Sequence, residues 1–165
     1  MAVPGPTPRL VFRTWRDDDL AFALALFGDA RVTALVGGPF DEAQIQARLA
    51  AEIANERAHG FQYWPIFANT VFVGCCGLKP RAPRVPELGF YLVPSAHGKG
   101  YAVEAARAVI DFAFDHLHAE SIFAGHHPSN AASRRTLEKL GFRYTHDELY
   151  PPTGLVHPGY EKTKG

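Results

Sequence analysis

Cysteine is scarce in this 165-residue chain: only Cys75 and Cys76 are present. Neighbours in a strand point to opposite faces, so a bridge between the two is disfavoured and no disulfide framework is available. They read as reduced, buried thiols, because the surrounding sequence offers no basic partner to activate either as a nucleophile. Long apolar runs are missing as well. No stretch approaches the ~18 apolar residues of a membrane span, and MAVPGPTPRL lacks the apolar core of a signal peptide, which predicts a cytoplasmic protein with no membrane role. Nor does charge of one sign dominate. Seventeen Lys and Arg balance seventeen Asp and Glu, so no strongly cationic surface recommends nucleic acid as a partner, although a local basic patch stays open. Repeats and low-complexity tracts are absent, and a 47% apolar content suits one domain over 1–165 with a sizeable core. The eight histidines include the pairs His116 with His118 and His126 with His127, but neither has zinc-finger or zincin spacing, and no metal site is expected.

What is present begins with LVPSAHGKGYAVE, from Leu92 to Glu104, where an apolar strand passes through a glycine loop directly into a helix. Gly98 and Gly100 can take backbone angles closed to other residues, so successive amides can converge on one phosphate group. The following helix start adds unpaired amides and positive dipole density. An ordinary strand-to-helix turn with two glycines has the same local sequence. The segment does not qualify as a P-loop, since Val93 occupies the first glycine position and Gly100 follows Lys99 where Ser or Thr belongs.

The pattern on either side predicts the element order. Arg9 to Trp15 reads as a strand. Asp17 or Asp18 caps a helix containing Leu20, Phe22, Leu24 and Phe27, closed by Gly28, and a Gly37, Gly38, Pro39 turn precedes a helix from Asp41 to His59. Strands follow at Phe61 to Ala68, Val71 to Leu78 and Glu87 to Val93, with Asn69 and Thr70 as a hairpin turn and Arg81 to Pro86 as a proline-rich connector. A helix runs from Gly100 to roughly His118 with an apolar stripe through Ala106, Val109, Ile110 and Ala113. Then come a strand at Ser121 to Ala124, a helix over Ala131 to Leu140 capped by Asn130 and closed by Gly141, and strands at Phe142 to Tyr150 and near Pro158 to Lys162. The result is a mixed α/β (α+β) layer fold with a right-handed parallel crossover between the strand ending at Val93 and the one starting near Ser121.

HGKGYAVEA followed by NAASRRTLEKLGF resembles the acetyl-CoA signature of the GNAT superfamily of N-acetyltransferases. RLVFRTWRDDDL, CCGLKP and ELGFYLVPSAHGKGYAVEA further resemble the branch related to the ribosomal-protein N-terminal acetyltransferases RimJ and RimL, and the likeness runs in order from about Arg9 to Tyr160. It implies a GNAT-like fold, a mixed central sheet with two splayed strands and flanking helices, with acetyl-CoA as cosubstrate. The pantetheine arm would lie in the splay, bonded by backbone groups around Phe90, Leu92 and Val93. The pyrophosphate would fall on the amides of His97, Gly98, Lys99, Gly100, Tyr101 and Ala102. Asn130 would hold a pantetheine amide, and Arg134 and Lys139, less so Arg135, would reach the 3′-phosphate. One departure is Ser95, where many members of the family carry Gln or Arg.

The implied chemistry is direct attack of a neutral amine on the thioester in a ternary complex. Deprotonating a lysine-type amine, with a pKa about 10.4, costs about 4 kcal/mol at neutral pH, against about 1 for an α-amine, so a base matters more for the first. Glu87 is the candidate base, acting through water; as a strand-end glutamate it would need no such role. A backbone N–H near Phe90 to Leu92 would face the oxyanion. Many relatives protonate the leaving thiolate with a tyrosine, but the matching position is Leu137. Ser133 is the candidate donor in its place, and Tyr144 a fallback. The acceptor amine, on a protein N-terminus or a small molecule, would enter among the first two helices, the 37–40 turn and the 150–157 loop, where Trp15, Phe40, Tyr150 and His157 lie; the lack of clustered carboxylates there disfavours a polycation. A homodimer is left open. So is a non-catalytic acyl-CoA sensor or interaction module of the same fold, which would bind CoA without releasing thiol.

Overall fold

The computed structural model describes residues 2–165. Its elements in chain order are β1 (Val11–Phe12), α1 (Leu20–Phe27), α2 (Ala30–Thr33), α3 (Glu42–His59), β2 (Tyr63–Ala68), β3 (Val71–Ala82), β4 (Val85–Leu92), α4 (Tyr101–Asp115), β5 (Ser121–Gly125), α5 (Ala131–Lys139), β6 (Arg143–Tyr150) and β7 (Leu155–Thr163). The seven strands form one sheet in the order β1-β2-β3-β4-β5-β7-β6. Every pairing is antiparallel except β4 with β5, which are parallel and meet at one register pair, Glu87 with Phe123. No helix among the described residues is long and apolar enough to cross a membrane.

Strand alternation gives the sheet two apolar faces. One packs α4 and α5 through Ala106, Val109, Ala113 and Leu137 onto Leu78, Leu88 and Ile122, while the other packs α1 and α3 through Leu26, Ile45 and Leu49 onto Tyr63 and Phe72. The adjacent cysteines divide between them. Cys76 belongs to the first core and Cys75 to the second, both fully buried and free, and burial raises both thiol pKa values.

Local sequence signals account for most boundaries. Asp41 accepts from the Gln44 amide and the Gln44 side chain returns the bond, closing a capping box on α3, which Gly60 ends in the left-handed conformation. Asn130 caps α5, and Gly141 follows it at φ 87°. Four expectations need correction. The first strand shrinks to Val11–Phe12 because the next partner on β2 is Pro65, which has no N–H to continue the ladder. The supposed connector at 81–86 belongs to a long hairpin: β3 runs to Ala82, β4 begins at Val85, and the register shift between Lys79 and Ala82 absorbs Pro80. Neither Asp17 nor Asp18 caps α1. Asp19 precedes it, its carboxylate held by two bonds from Arg13, at 2.7 and 2.8 Å, and one from the Arg16 amide. Finally, α4 stops at Asp115, where His118 at φ 55° and an Ala119 amide bonded to the Ala113 carbonyl turn the chain away.

Candidate active site

Between β4 and α4 the chain makes a short 3-10 turn, Pro94–Ala96, then the glycine loop. Gly98 and Gly100 sit at φ 74° and 80°, angles that side chains rarely adopt. Gly100 is the N-cap of α4 and has no side chain with which to satisfy the first-turn amides. The amides of Gly98, Lys99, Gly100, Tyr101 and Ala102 consequently have no acceptor among the described residues, while the His97 amide already donates to the Pro94 carbonyl at 3.1 Å. Of the six amides that the resemblance assigns to a pyrophosphate, the five from Gly98 to Ala102 are therefore open and that of His97 is not. These five open amides fit a phosphate group.

Behind the loop lies a strap that the sequence did not reveal. Arg9 donates from Nη1 to the Lys99 carbonyl at 2.8 Å and from Nε to Glu104 at 2.7 Å, and its guanidinium covers the Tyr101 ring at 4.6 Å. Glu104 also accepts from the Arg9 amide and the Thr7 hydroxyl; although partly desolvated, it is held below the usual carboxylate range by these donors. With its one carbonyl turned back toward Arg9, Lys99 leaves its amide free for the opposite side.

Beyond the Glu87–Phe123 pair, β4 and β5 separate, and a cleft of about 560 Å³ opens between them. Of the residues singled out from the sequence, Phe90, Leu92, His97, Gly98, Gly100, Tyr101, Ala102, Asn130, Ser133 and Lys139 line it. Val93, Lys99, Arg134 and Glu87 do not. The Val93 amide is bonded to the Val73 carbonyl in the sheet, and Arg134 pairs with Glu138 at 2.9 Å on the exposed face of α5. Its neighbour Arg135, read as the more solvated of the two, lines the cleft with Lys139. At the end of β4, the His97 Nε2 donates to the Leu92 carbonyl at 2.9 Å, an arrangement that requires a proton on that nitrogen.

On the α5 side, Asn130 uses its Oδ1 for the Ser133 amide at 3.0 Å, so its amide NH2 is the group left to face the cleft. The Ser133 hydroxyl has no partner among the described residues. Leu137 is 1% exposed and packed in the core. Tyr144 sits on the outer strand β6, donating to Asp147 at 2.9 Å, outside the cleft lining. The paired His126 and His127 do line the cleft. Nδ1 of His127 accepts from the Ser129 amide at 2.9 Å, which leaves its proton on Nε2. His157 lies 5.4 Å from His127, stacks on Tyr150 and is pushed toward the neutral form by burial and by its histidine neighbours. Among the described residues, no group of three His, Cys, Asp or Glu side chains is placed to hold a metal ion.

The opposite face of β4 carries Glu87, Gly89 and Tyr91. The Tyr63 hydroxyl occupies the space that a Cβ on Gly89 would fill. Tyr63 and Tyr91 are 6.1 Å apart, both with pKa values raised by burial. The Glu87 carboxylate lies 3.3 Å from Lys79 and 3.8 Å from Arg81. Trp15, expected at the acceptor entrance, is instead 4% exposed and bonded through Nε1 to the Tyr63 carbonyl. The wall on this side comes from α2 and the 3-10 turn after it, Ala34–Val36, elements too short to leave a periodic signal. The 37–40 turn and the 150–157 loop meet where a Cβ on Gly37 would strike Pro152.

This arrangement matches known proteins. A family model described as an acetyltransferase (GNAT) domain matches residues 9–143. The Bacillus subtilis protein YkkB is 32% identical over 145 residues, with 84% of each chain covered. An acetyltransferase from Agrobacterium tumefaciens superposes with a TM-score of 0.85 at 24% identity, covering 99% of this chain and 96% of that one. RimL, a ribosomal L7/L12 alpha-N-protein acetyltransferase solved with coenzyme A, superposes with a TM-score of 0.84 at 14% identity over 98% of each chain. This chain belongs to the GNAT family of acetyl-CoA-dependent N-acetyltransferases.

Proposed function

We propose that the chain transfers the acetyl group of acetyl-CoA to a primary amine by direct attack in a ternary complex. The observation that carries this reading is the cleft between β4 and β5, which leads from the unpaired edge of β4 to five amides without acceptors. The pyrophosphate would rest on the amides from Gly98 to Ala102, and the pantetheine arm would run along Phe90 and Leu92 with the Asn130 NH2 on one of its amides. Lys139 and Arg135, which line the cleft, would meet the 3′-phosphate.

The acceptor would approach from the side of α2, α3 and the 150–157 loop, on the face that carries Glu87. Glu87 would take the amine's proton through water, and the Ser133 hydroxyl would donate to the departing thiolate. With a thiol pKa of about 8.5, expelling the bare thiolate at pH 7 forfeits only about 2 kcal/mol, so a weak donor suffices. A protein N-terminus and a small-molecule amine both remain acceptors of the right chemistry.

Two observations favour a second reading, a CoA-binding sensor without turnover: Leu137, at the position where the family resemblance calls for a tyrosine, is a buried apolar residue, and Glu87 is already engaged by two cations. Free-thiol release from acetyl-CoA, measured against peptides, polyamines, aminoglycosides and amino acids, separates the two when combined with calorimetric CoA titration. Binding with release establishes the enzyme and names its acceptor class. Binding without release across the panel supports the sensor, and absence of binding overturns both.

A further inference from the structure

We propose that Arg48 is a carboxylate-binding residue for the acceptor, so that the amine acetylated here belongs to a molecule carrying its own acid group. The proposal rests on the acetyl-transfer reading for its substrate, but the subsite itself is argued from geometry. Arg48 projects from α3 toward β2 and β4. Its Nε donates to Glu52 at 2.6 Å, and the other Glu52 oxygen accepts from the Tyr63 amide at 2.7 Å. Glu52 is 3% exposed, with both oxygens in use.

That single contact engages one of the five donors on the guanidinium. Neither Nη1 nor Nη2 has an acceptor among the described residues, and 32% of the side chain remains exposed. The plane is fixed by two aromatic rings, Phe27 at 4.9 Å and Tyr63 at 5.0 Å. Tyr91 packs against both of these rings and also lines the cleft, so the aromatic cage around Arg48 shares a wall with the space in which acetyl transfer would occur. A rigid guanidinium held along one edge, with two terminal nitrogens open, presents the fork that matches a carboxylate.

Competing charges on this face are already matched. Glu52 is committed to Arg48 and the Tyr63 amide, and Glu87 to Lys79 and Arg81. A purely structural arginine would need only the Glu52 bond and the two stacking contacts, and it would leave the binding of acids and their neutral amides alike. A polyamine would bring cations next to Arg48. An amino-acid-like acceptor brings its amine toward the thioester and its acid group to the fork.

The test compares N-acetyl amino acids, which are the products such acceptors would give, with their C-terminal amides. Neither set carries a free amine, so any difference between them reports on the carboxylate. Calorimetry on the CoA-saturated protein would use the Phe, Leu, Met and Gln derivatives. We expect at least one acid to bind about tenfold or more tightly than its amide. The preference should vanish in Arg48→Lys, which keeps the charge but not the fork. It should also vanish in Arg48→Gln combined with Glu52→Gln, which avoids a lone buried carboxylate. Thermal melting confirms that both variants fold. Equal binding of acids and amides, no binding of any acid while CoA binds, or a preference that survives both variants overturns the proposal. Thiol release with the corresponding free amines is read separately. Arg48-dependent binding without release would remove acetyl transfer and leave the subsite standing, whereas release with amides as readily as with acids would do the reverse.

Discussion

The two sides of β4 are built by different kinds of interaction. On the side proposed for the donor, the loop from His97 to Gly100, the first turn of α4 and the Asn130 cap of α5 present mostly backbone groups, positioned by two glycine conformations and one capping side chain. On the side proposed for the acceptor, Arg48, Glu52, Tyr63, Tyr91 and Glu87 contribute side chains, held by contacts between elements distant in the chain. Main-chain amides recognise a phosphate in any sequence that permits the turn, whereas side chains select among acceptors. The donor side should therefore be fragile to changes of backbone conformation, and the acceptor side to changes of functional group.

The largest expected effect is at Gly98. A Cβ there would meet nothing within 4 Å, so the obstacle to Gly98→Val is the backbone, whose φ of 74° is one that a β-branched residue resists. CoA affinity should fall by about a hundredfold or more with the melting temperature little changed, as calorimetry and thermal denaturation would show. Unchanged affinity would break the assignment of the loop.

Arg9→Ala comes next. Removing the strap frees the Lys99 carbonyl and loosens the cradle, and CoA should bind about tenfold more weakly, the worth of one charge-assisted contact. Turnover of an acetyl-pantetheine donor, which lacks the pyrophosphate, should fall much less. Equal losses with both donors would make Arg9 a general stability residue. On the acceptor side, Glu87→Gln should slow a lysine-type amine about tenfold more than an α-amine, because only the first starts about three pH units from its neutral form. Ser133→Ala should lower kcat only a few-fold, since the thiolate is a tolerable leaving group.

The smallest effect concerns Arg81 and Glu148, joined by two bonds at 2.7 and 3.0 Å. The guanidinium holds the Glu148 carboxyl down at about 2. A carboxylate whose pKa is depressed on folding stabilises the protein above its unfolded value, and the contribution disappears as the pH falls toward about 2. Glu148→Gln should flatten the acid limb of the melting-temperature profile between about pH 4.5 and 2. The shift should be a degree or two, because the pair is partly exposed to water.

The donor side was also the more legible in sequence. Gly98, Gly100, Asn130 and Gly141 declare themselves locally, because a turn or a cap depends on residues a few positions apart. Arg9 and Glu104 are 95 residues apart, and their contact leaves no local trace. Arg134 and Arg135 illustrate a finer limit. They are adjacent and chemically alike, and the helix phase alone turns one toward Glu138 and the other into the cleft. The α2 segment is only four residues long, and the extent of β1 depends on a proline in a different strand. Nothing local to Arg48 distinguishes it from other basic residues, because the rings that frame it, Phe27 and Tyr63, come from other elements.

The single register pair between β4 and β5 makes the sheet two leaves on a hinge, β1 to β4 on one side and β5, β7 and β6 on the other. Arg81 is the pin: it stacks on Phe123 of β5 at 3.4 Å while reaching Glu87 on β4 and Glu148 on β6. A donor arm between the leaves would become part of the sheet's own bonding, slowing hydrogen exchange along Gly89 to Leu92 as it binds. Acetyl-CoA and the CoA left after transfer share that arm, so both would brace the hinge. The stability of the protein would then follow the total coenzyme A pool, whatever its degree of acetylation.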